Sequence, residues 1–301
     1  MNAKIISLDS ALGSYKQLVT RYDADYGILW YYMNPEPRPC FNMDLLADIR
    51  KCQRFIQQIN QSALEHRKEC PIRYGVLASR SSGVYSLGGD LDLFIKLIRE
   101  RDQEGLTRYA RACIDSVHLF AVNLNLPMTT ISLVQGDALG GGFEGALCCS
   151  VIVAEKSAKF GLPEILFNLF PGMGAYSFLA RRLDAARAER MILSGNVYSA
   201  SELHEMGIVD VLAEDSEGEK AVYEYIKRHS RRQTSFQALF KVRERYRPIS
   251  REELIDIGDI WVDTALKLGP KDIRLMERLV KSQDKLPTGS VALNGTADGH
   301  A

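Results

Sequence analysis

The stretch Gly136-Asp-Ala-Leu-Gly-Gly-Gly-Phe-Glu144 decides the fold of this chain. The run before it, Thr130 to Val134, reads as a strand, and Phe143 to Cys149 reads as a helix. A strand-to-helix turn made of glycines lets the backbone approach a ligand closely. It also aims the unpaired N–H groups of the helix start at negative charge. Phosphate is the usual client, but a phosphate loop needs Lys and then Ser or Thr after its last glycine. Here Phe143-Glu144 follows Gly142. A glutamate this early in the helix would repel a phosphate. A thioester carbonyl fits better, because it becomes an enolate or tetrahedral oxyanion that two backbone N–H groups can hold. The second donor is expected from the other glycine turn, around Leu87-Gly88.

Glu144 falls in the first turn of the helix, and Glu164 follows beside Pro163. Two carboxyls near one α-carbon can share acid and base work, one at C2 and one at the C3 hydroxyl. Each also has a plainer reading. Glu144 suits the positive end of a helix, and Glu164 suits a solvated loop.

Working outward, Tyr26–Met33 reads as a strand ended by the turn Asn34–Pro39. Leu45, Leu46, Ile49, Cys52, Phe55, Ile56 and Ile59 then recur at helical spacing. Tyr74–Ser79 is strand-like, and Asp90 is a good N-cap for a helix carrying Leu93, Phe94, Leu97 and Ile98. A helix is expected over roughly 103–125, before Pro127. Val151–Ala154 and Ile208–Leu212 read as further strands. Ser199–Glu202 and Ser250–Glu253 have the form of capping boxes. Strands alternate with helices to about residue 212, and helices alone follow, which predicts an α/β core with parallel strands. The expected divisions are an irregular N-terminal extension at 1–24, the core at 25–212, a helical region at 213–285 and a disordered tail at 286–301.

The chain has 301 residues, with 38 Lys and Arg against 38 Asp and Glu. Zero net charge excludes a general coating of nucleic acid. No run of ~18 apolar residues predicts a membrane span, and the first residues lack the pattern of a secretion signal. Cys40, Cys52, Cys70, Cys113, Cys148 and Cys149 contain no CxxC. Buried reduced thiols, a cytoplasmic location and no metal are expected. No G-x-S-x-G stands in the chain, which argues against a serine thioesterase. His118 is read as a packing histidine, and Ile257, Ile260 and Trp261 as core or subunit interface. The basic stretch Lys227–Arg247 is either a solvated helix face or a dock for an acidic carrier or CoA phosphates, with Arg231, Arg232, Arg243 and Arg245 as candidates. Lys96, Arg99, Arg101, Arg108 and Arg111 form a weaker second group.

These residues resemble the crotonase (enoyl-CoA hydratase/isomerase) superfamily. Its three motifs are similar to Ser86–Asp90, Gly136–Glu144 and Phe160-Gly-Leu-Pro-Glu164 with Phe170-Pro-Gly-Met-Gly174, in the same order and spacing. The resemblance runs over about residues 26–280 and implies a crotonase-type spiral of ββα units with an all-helical C-terminal trimerisation region. Glu36–Phe41, Leu87–Leu91, Ala110–Asp115, Phe160–Gly174 and Pro270–Ile273 further resemble the diffusible-signal-factor synthases, which make cis-2-unsaturated fatty acid signals in bacteria. This implies dehydration of a 3-hydroxyacyl-acyl-carrier-protein and hydrolysis of the resulting thioester, with no cofactor beyond the carrier, acyl carrier protein or CoA. The N–H groups of Leu87 and Gly141 would form the oxyanion hole, with Gly88, Gly89, Gly140, Gly142 and Gly172 in supporting turns. Glu164 would take the C2 proton and Glu144 would protonate the departing hydroxyl. One of them would later activate water. A homotrimer or dimer of trimers and a sensor histidine kinase partner are also implied. The alternatives are an ordinary enoyl-CoA hydratase or isomerase, or a protein that mainly binds the kinase. Leu87, Gly89 and the loop Asn168-Leu-Phe-Pro171 depart from the common hydratase pattern and point to a reshaped pocket for a medium or long acyl chain.

Overall fold

The computed structural model describes residues 14–283. The chain opens with β1 (Leu18–Asp23) and β2 (Ile28–Met33), followed by α1 (Met43–Glu65), β3 (Tyr74–Ser79) and β4 (Val84–Ser86). Next come α2 (Leu91–Glu100), α3 (Gln103–Ala121), β5 (Thr129–Val134), β6 (Asp137–Leu139) and α4 (Gly141–Leu147). After β7 (Val151–Glu155) and β8 (Lys159–Gly161), a 3-10 turn at Pro163–Phe167 leads to α5 (Ala175–Arg182) and α6 (Ala185–Ser194). The remainder is β9 (Val197–Ser199), α7 (Ala200–Glu205), β10 (Val211–Ala213), α8 (Gly218–Ser230), α9 (Gln233–Tyr246), α10 (Arg251–Ala265) and α11 (Pro270–Gln283).

One sheet runs β1-β2-β3-β5-β7-β10 and a smaller one runs β4-β6-β8-β9. The pairs β3/β4, β5/β6 and β7/β8 each send their first strand to the large sheet and their second to the small one. This repetition is the ββα spiral. The β2-β3, β3-β5, β5-β7 and β7-β10 pairings are parallel. Strand β2 shows why: Leu29, Tyr31 and Met33 join the main core, while Ile28, Trp30 and Tyr32 join a second cluster on the opposite face. A strand buried on both faces needs an unbroken apolar run, and YGILWYYM supplies one.

Residues 18–23, expected inside an irregular extension, form β1, paired antiparallel with β2 from Leu18↔Met33 to Asp23↔Ile28. The polar composition misled here because β1 is an edge strand whose residues after Leu18 are only partly buried. The expected helix to 125 stops at Ala121, and Asn123, Leu124 and Asn125 take positive φ. Asn123 Oδ1 accepts from the Thr130 amide at 3.0 Å and the Ser150 hydroxyl at 2.9 Å, which pins this turn against β5. Ser199 and Glu202 form a complete capping box. Ser250 caps α10, but Glu253 turns away to pair with Arg181 at 2.6 Å. The first helix of the C-terminal region is part of the core, since Val222 and Ile226 of α8 cover the second face of the large sheet. The expected tail at 286–301 lies outside the described residues. No helix among those residues is long and apolar enough to cross a membrane. All six cysteines are buried and unpaired.

Candidate active site

Two glycine turns meet where β4 leads into α2 and β6 into α4. Gly88 (φ +98°) sits so close to the other turn that a Cβ there would lie 2.8 Å from the Leu139 carbonyl and 3.0 Å from the Gly141 amide. Gly140 (φ +52°) leaves room for a carboxyl: a Cβ would lie 2.4 Å from Glu164 Oε1. Only glycine tolerates both the left-handed backbone and these approaches.

The amides at this junction are not equivalent. Leu87 N–H donates to the Pro39 carbonyl at 2.7 Å, Gly88 N–H to Ser86 Oγ at 3.3 Å, and Gly140 N–H to the Gly161 carbonyl at 2.8 Å. The N–H groups of Gly89 and Gly141 have no acceptor among the described residues. They are neighbours, since a Cβ on Gly141 would stand 3.3 Å from Gly89 N. The expected pairing of Leu87 with Gly141 is therefore corrected: the Leu87 amide is already spent on Pro39, and the free donor is Gly89. Leu87 serves with its side chain, which lines the cavity below.

Glu144 is 1% exposed. Its Oε1 accepts from the amides of Met173 at 2.7 Å and Ala175 at 2.9 Å, at the start of α5. Its pKa is raised by burial, a cause that these backbone bonds oppose without cancelling. Glu164 stands on the 3-10 turn and is half-buried as a whole, but its Oε2 is buried without a hydrogen-bond partner. Burial, and then the charge of Glu144, hold its pKa well above the usual carboxyl range. Two carboxyls that repel each other in a dry site do not readily ionise together. The N–H bonds favour negative charge on Glu144, so the resting proton belongs on Glu164. The plain reading of Glu164 as a solvated loop charge is thus overturned.

An apolar cavity of about 150 Å³ opens beside the pair. Its walls include Leu87, Phe94, Tyr109, Cys113, Met173 and Trp261, with Leu279 from α11. Phe167 and Leu169 of the bulky loop also line it. Trp261, read from sequence as core or interface, belongs to this wall. Its ring packs edge-on against Phe94 at 5.0 Å, and Gly172 is glycine because a Cβ there would come within 2.5 Å of that ring. Its neighbour Ile260 is 58% exposed. The C-terminal helices thus fold back over the chain's own site. Arg99 with Glu277 at 2.5 Å and Arg111 with Asp259 at 2.8 Å pin α11 and α10 there, which accounts for two members of the weaker basic group. His118 is half-buried on α3, where burial lowers its pKa.

The candidate docking arginines do not reach the cavity. Arg243 Nη1 approaches the Ser150 carbonyl at 3.4 Å beside Arg182, whose Nη2 donates to the Cys149 carbonyl at 2.8 Å. Both guanidiniums thus lie past the carboxyl end of α4, opposite Gly141, and suit the helix dipole. Arg231, Arg232 and Arg245 are exposed.

Two donors for an oxyanion, two buried carboxyls and an apolar cavity together can bind an acyl thioester and move protons at its C2 and C3. Comparisons with known proteins point the same way. Residues 51–253 match the enoyl-CoA hydratase/isomerase family model. Human mitochondrial enoyl-CoA hydratase domain-containing protein 2 is 31% identical, over 56% of this chain and 55% of its own length. The mitochondrial methylglutaconyl-CoA hydratase of Rattus norvegicus is 29% identical, over 56% of this chain and 52% of its own. The chain thus spans about half the length of these curated relatives. The crystal structure of enoyl-CoA hydratase from Bacillus halodurans superposes with a TM-score of 0.71 at 18% identity, covering 87% of this chain and 100% of that one, which establishes the shared fold. The chain belongs to the enoyl-CoA hydratase/isomerase family.

Proposed function

We propose that the chain removes water from a 3-hydroxyacyl thioester held on an acyl carrier protein, and then hydrolyses the 2-enoyl thioester to a free cis-2-unsaturated acid. The observation that supports it most is the buried, mutually repelling pair Glu144 and Glu164 beside the free amides of Gly89 and Gly141. The thioester carbonyl would accept from both amides while its tail enters the apolar cavity. Dehydration runs through the less populated form of the pair, with the proton on Glu144: ionised Glu164 takes the C2 proton, the enolate charge rests on the amides, and Glu144 protonates the departing C3 hydroxyl. For hydrolysis, a carboxylate of the pair removes a proton from water as it attacks the thioester carbonyl, and the same two amides hold the tetrahedral oxyanion. The carrier thiol then leaves with a proton. The stretches Glu36–Phe41 and Phe160–Gly174, similar to the signal-factor synthases, favour this reading.

A second reading has its own observation. The resting charges, an anion on Glu144 and a proton on Glu164, suit addition of water to an enoyl thioester, with Glu144 activating water and Glu164 delivering the C2 proton. That is ordinary hydration of an acyl-CoA. Mass spectrometry separates the two. The purified protein is given 3-hydroxyacyl-acyl-carrier-protein and, separately, trans-2-enoyl-CoA. Free cis-2-enoic acid from the first supports the dual reaction. Only 3-hydroxyacyl-CoA from the second would overturn it.

A further inference from the structure

We propose that Tyr109 is the positioning residue that aims the Gly89 N–H, a role that rests on the oxyanion-hole reading of the site. Tyr109 rises from α3 and is 3% exposed. Its hydroxyl donates to the Phe41 carbonyl at 2.5 Å and accepts from the Asp90 amide at 3.3 Å. Phe41 in turn donates its N–H to the Gly88 carbonyl at 2.8 Å.

Two of these bonds act on the peptide planes that flank Gly89, the Phe41 N–H on the Gly88–Gly89 plane and the phenol on the Gly89–Asp90 plane, while the third ties the phenol to the Phe41 carbonyl. In a trans peptide the C=O and the following N–H point in opposite directions. Holding the Gly88 carbonyl toward Phe41 therefore turns the Gly89 N–H away from Phe41, toward Gly141. Holding the Asp90 N–H on the phenol fixes the next plane. Gly89 has no side chain to resist rotation of either plane, and a side chain cannot be added, because a Cβ would lie 2.6 Å from the Phe94 ring and 3.3 Å from the Tyr109 hydroxyl. The Phe94 and Tyr109 rings, edge-on at 4.8 Å, fill that space instead. One hydroxyl thus ties α3, the Phe41 backbone and the donor turn into one unit. A donor that costs no reorganisation at the moment of reaction is what an oxyanion hole requires.

The test replaces Tyr109→Phe in the full chain, which keeps the ring and removes the hydroxyl. The probe is cinnamoyl-CoA, whose absorption moves to longer wavelength as its carbonyl is polarised. Wild-type protein is expected to shift the bound probe. Tyr109→Phe is expected to shift it less, to lower kcat by about tenfold, and to leave KM within about twofold. A merely structural tyrosine would change the melting temperature without touching the spectrum. An unchanged spectral shift with kcat within twofold of wild type overturns the proposal, as does a wild type that does not shift the probe. If Tyr109→Phe does not fold, 2,3,5-trifluorotyrosine at position 109 weakens the hydroxyl as an acceptor for Asp90 while keeping its shape. The shift should then fall, and an unaltered shift overturns the proposal. A wild type that shifts the probe but turns over no thioester defeats the functional reading and leaves the Tyr109 result standing.

Discussion

Replacing Glu164→Gln should make the protein more stable and less active, and the stability gain should grow with pH. The Glu164 carboxyl is pushed up to about 8 by burial and by Glu144, from an ordinary value near 4.5. At low pH the carboxyl is protonated in both the folded and unfolded chains, so it makes no difference. As pH rises past the ordinary value, the unfolded chain releases its proton and the folded chain keeps it. Wild-type stability therefore falls with pH until the folded carboxyl itself ionises, and is level beyond that. At ~1.4 kcal/mol per pH unit the full fall is on the order of 5 kcal/mol. Part of it belongs to the repulsion shared with Glu144, so it is not counted twice. Glutamine does not titrate and lacks this fall. Denaturant melts of both proteins at pH 5, 6, 7 and 8 should show the variant's advantage opening steadily across the series. Turnover of the variant should drop by roughly 10²–10⁴-fold, the usual contribution of a proton-transferring side chain. An advantage equal at pH 5 and pH 8, or a wild type that gains stability over that range, would refute the burial argument.

Other outcomes follow from the same geometry. Gly141→Ala places a Cβ 2.8 Å from Met173 Sδ and 3.3 Å from Gly89 N, crowding the hole. It should cost kcat about 10²–10³-fold, read by steady-state kinetics. Trp261→Ala removes a wall of the cavity and should raise KM most for the longest acyl tails in a chain-length series, with a loss of ~3 kcal/mol in denaturant melts. The double change Arg231→Glu and Arg232→Glu reverses two exposed charges away from the cavity. It should raise KM for carrier-protein substrates while leaving the intrinsic melt unchanged; an equal KM would remove these arginines from carrier docking.

Much of the fold was legible because it depends on local signals. Asp90 caps α2 through the Leu93 amide, as side-chain chemistry at a helix start requires. The glycines at 140–142 announced a close approach, and the aromatic and branched run at Tyr26–Met33 announced a strand. Glu144 and Glu164 stood out because each adjoins a turn motif. Edge strand β1 was illegible, since partly exposed residues carry little pattern.

The sequence by itself determined which residue types surround the site and which turns present them, because turn geometry and helix starts are set by neighbours along the chain. Only the tertiary structure decided which amide is free. Leu87 and Gly89 look alike as backbone donors until Pro39, far back in the chain, takes the Leu87 N–H. Only the tertiary structure turned Trp261 and Leu279 into cavity walls, by folding α10 and α11 back over α2 and α3. It also decided the protonation of the carboxyl pair. A glutamate carries the same formal charge wherever it is written, and desolvation depends on what other parts of the chain pack around it.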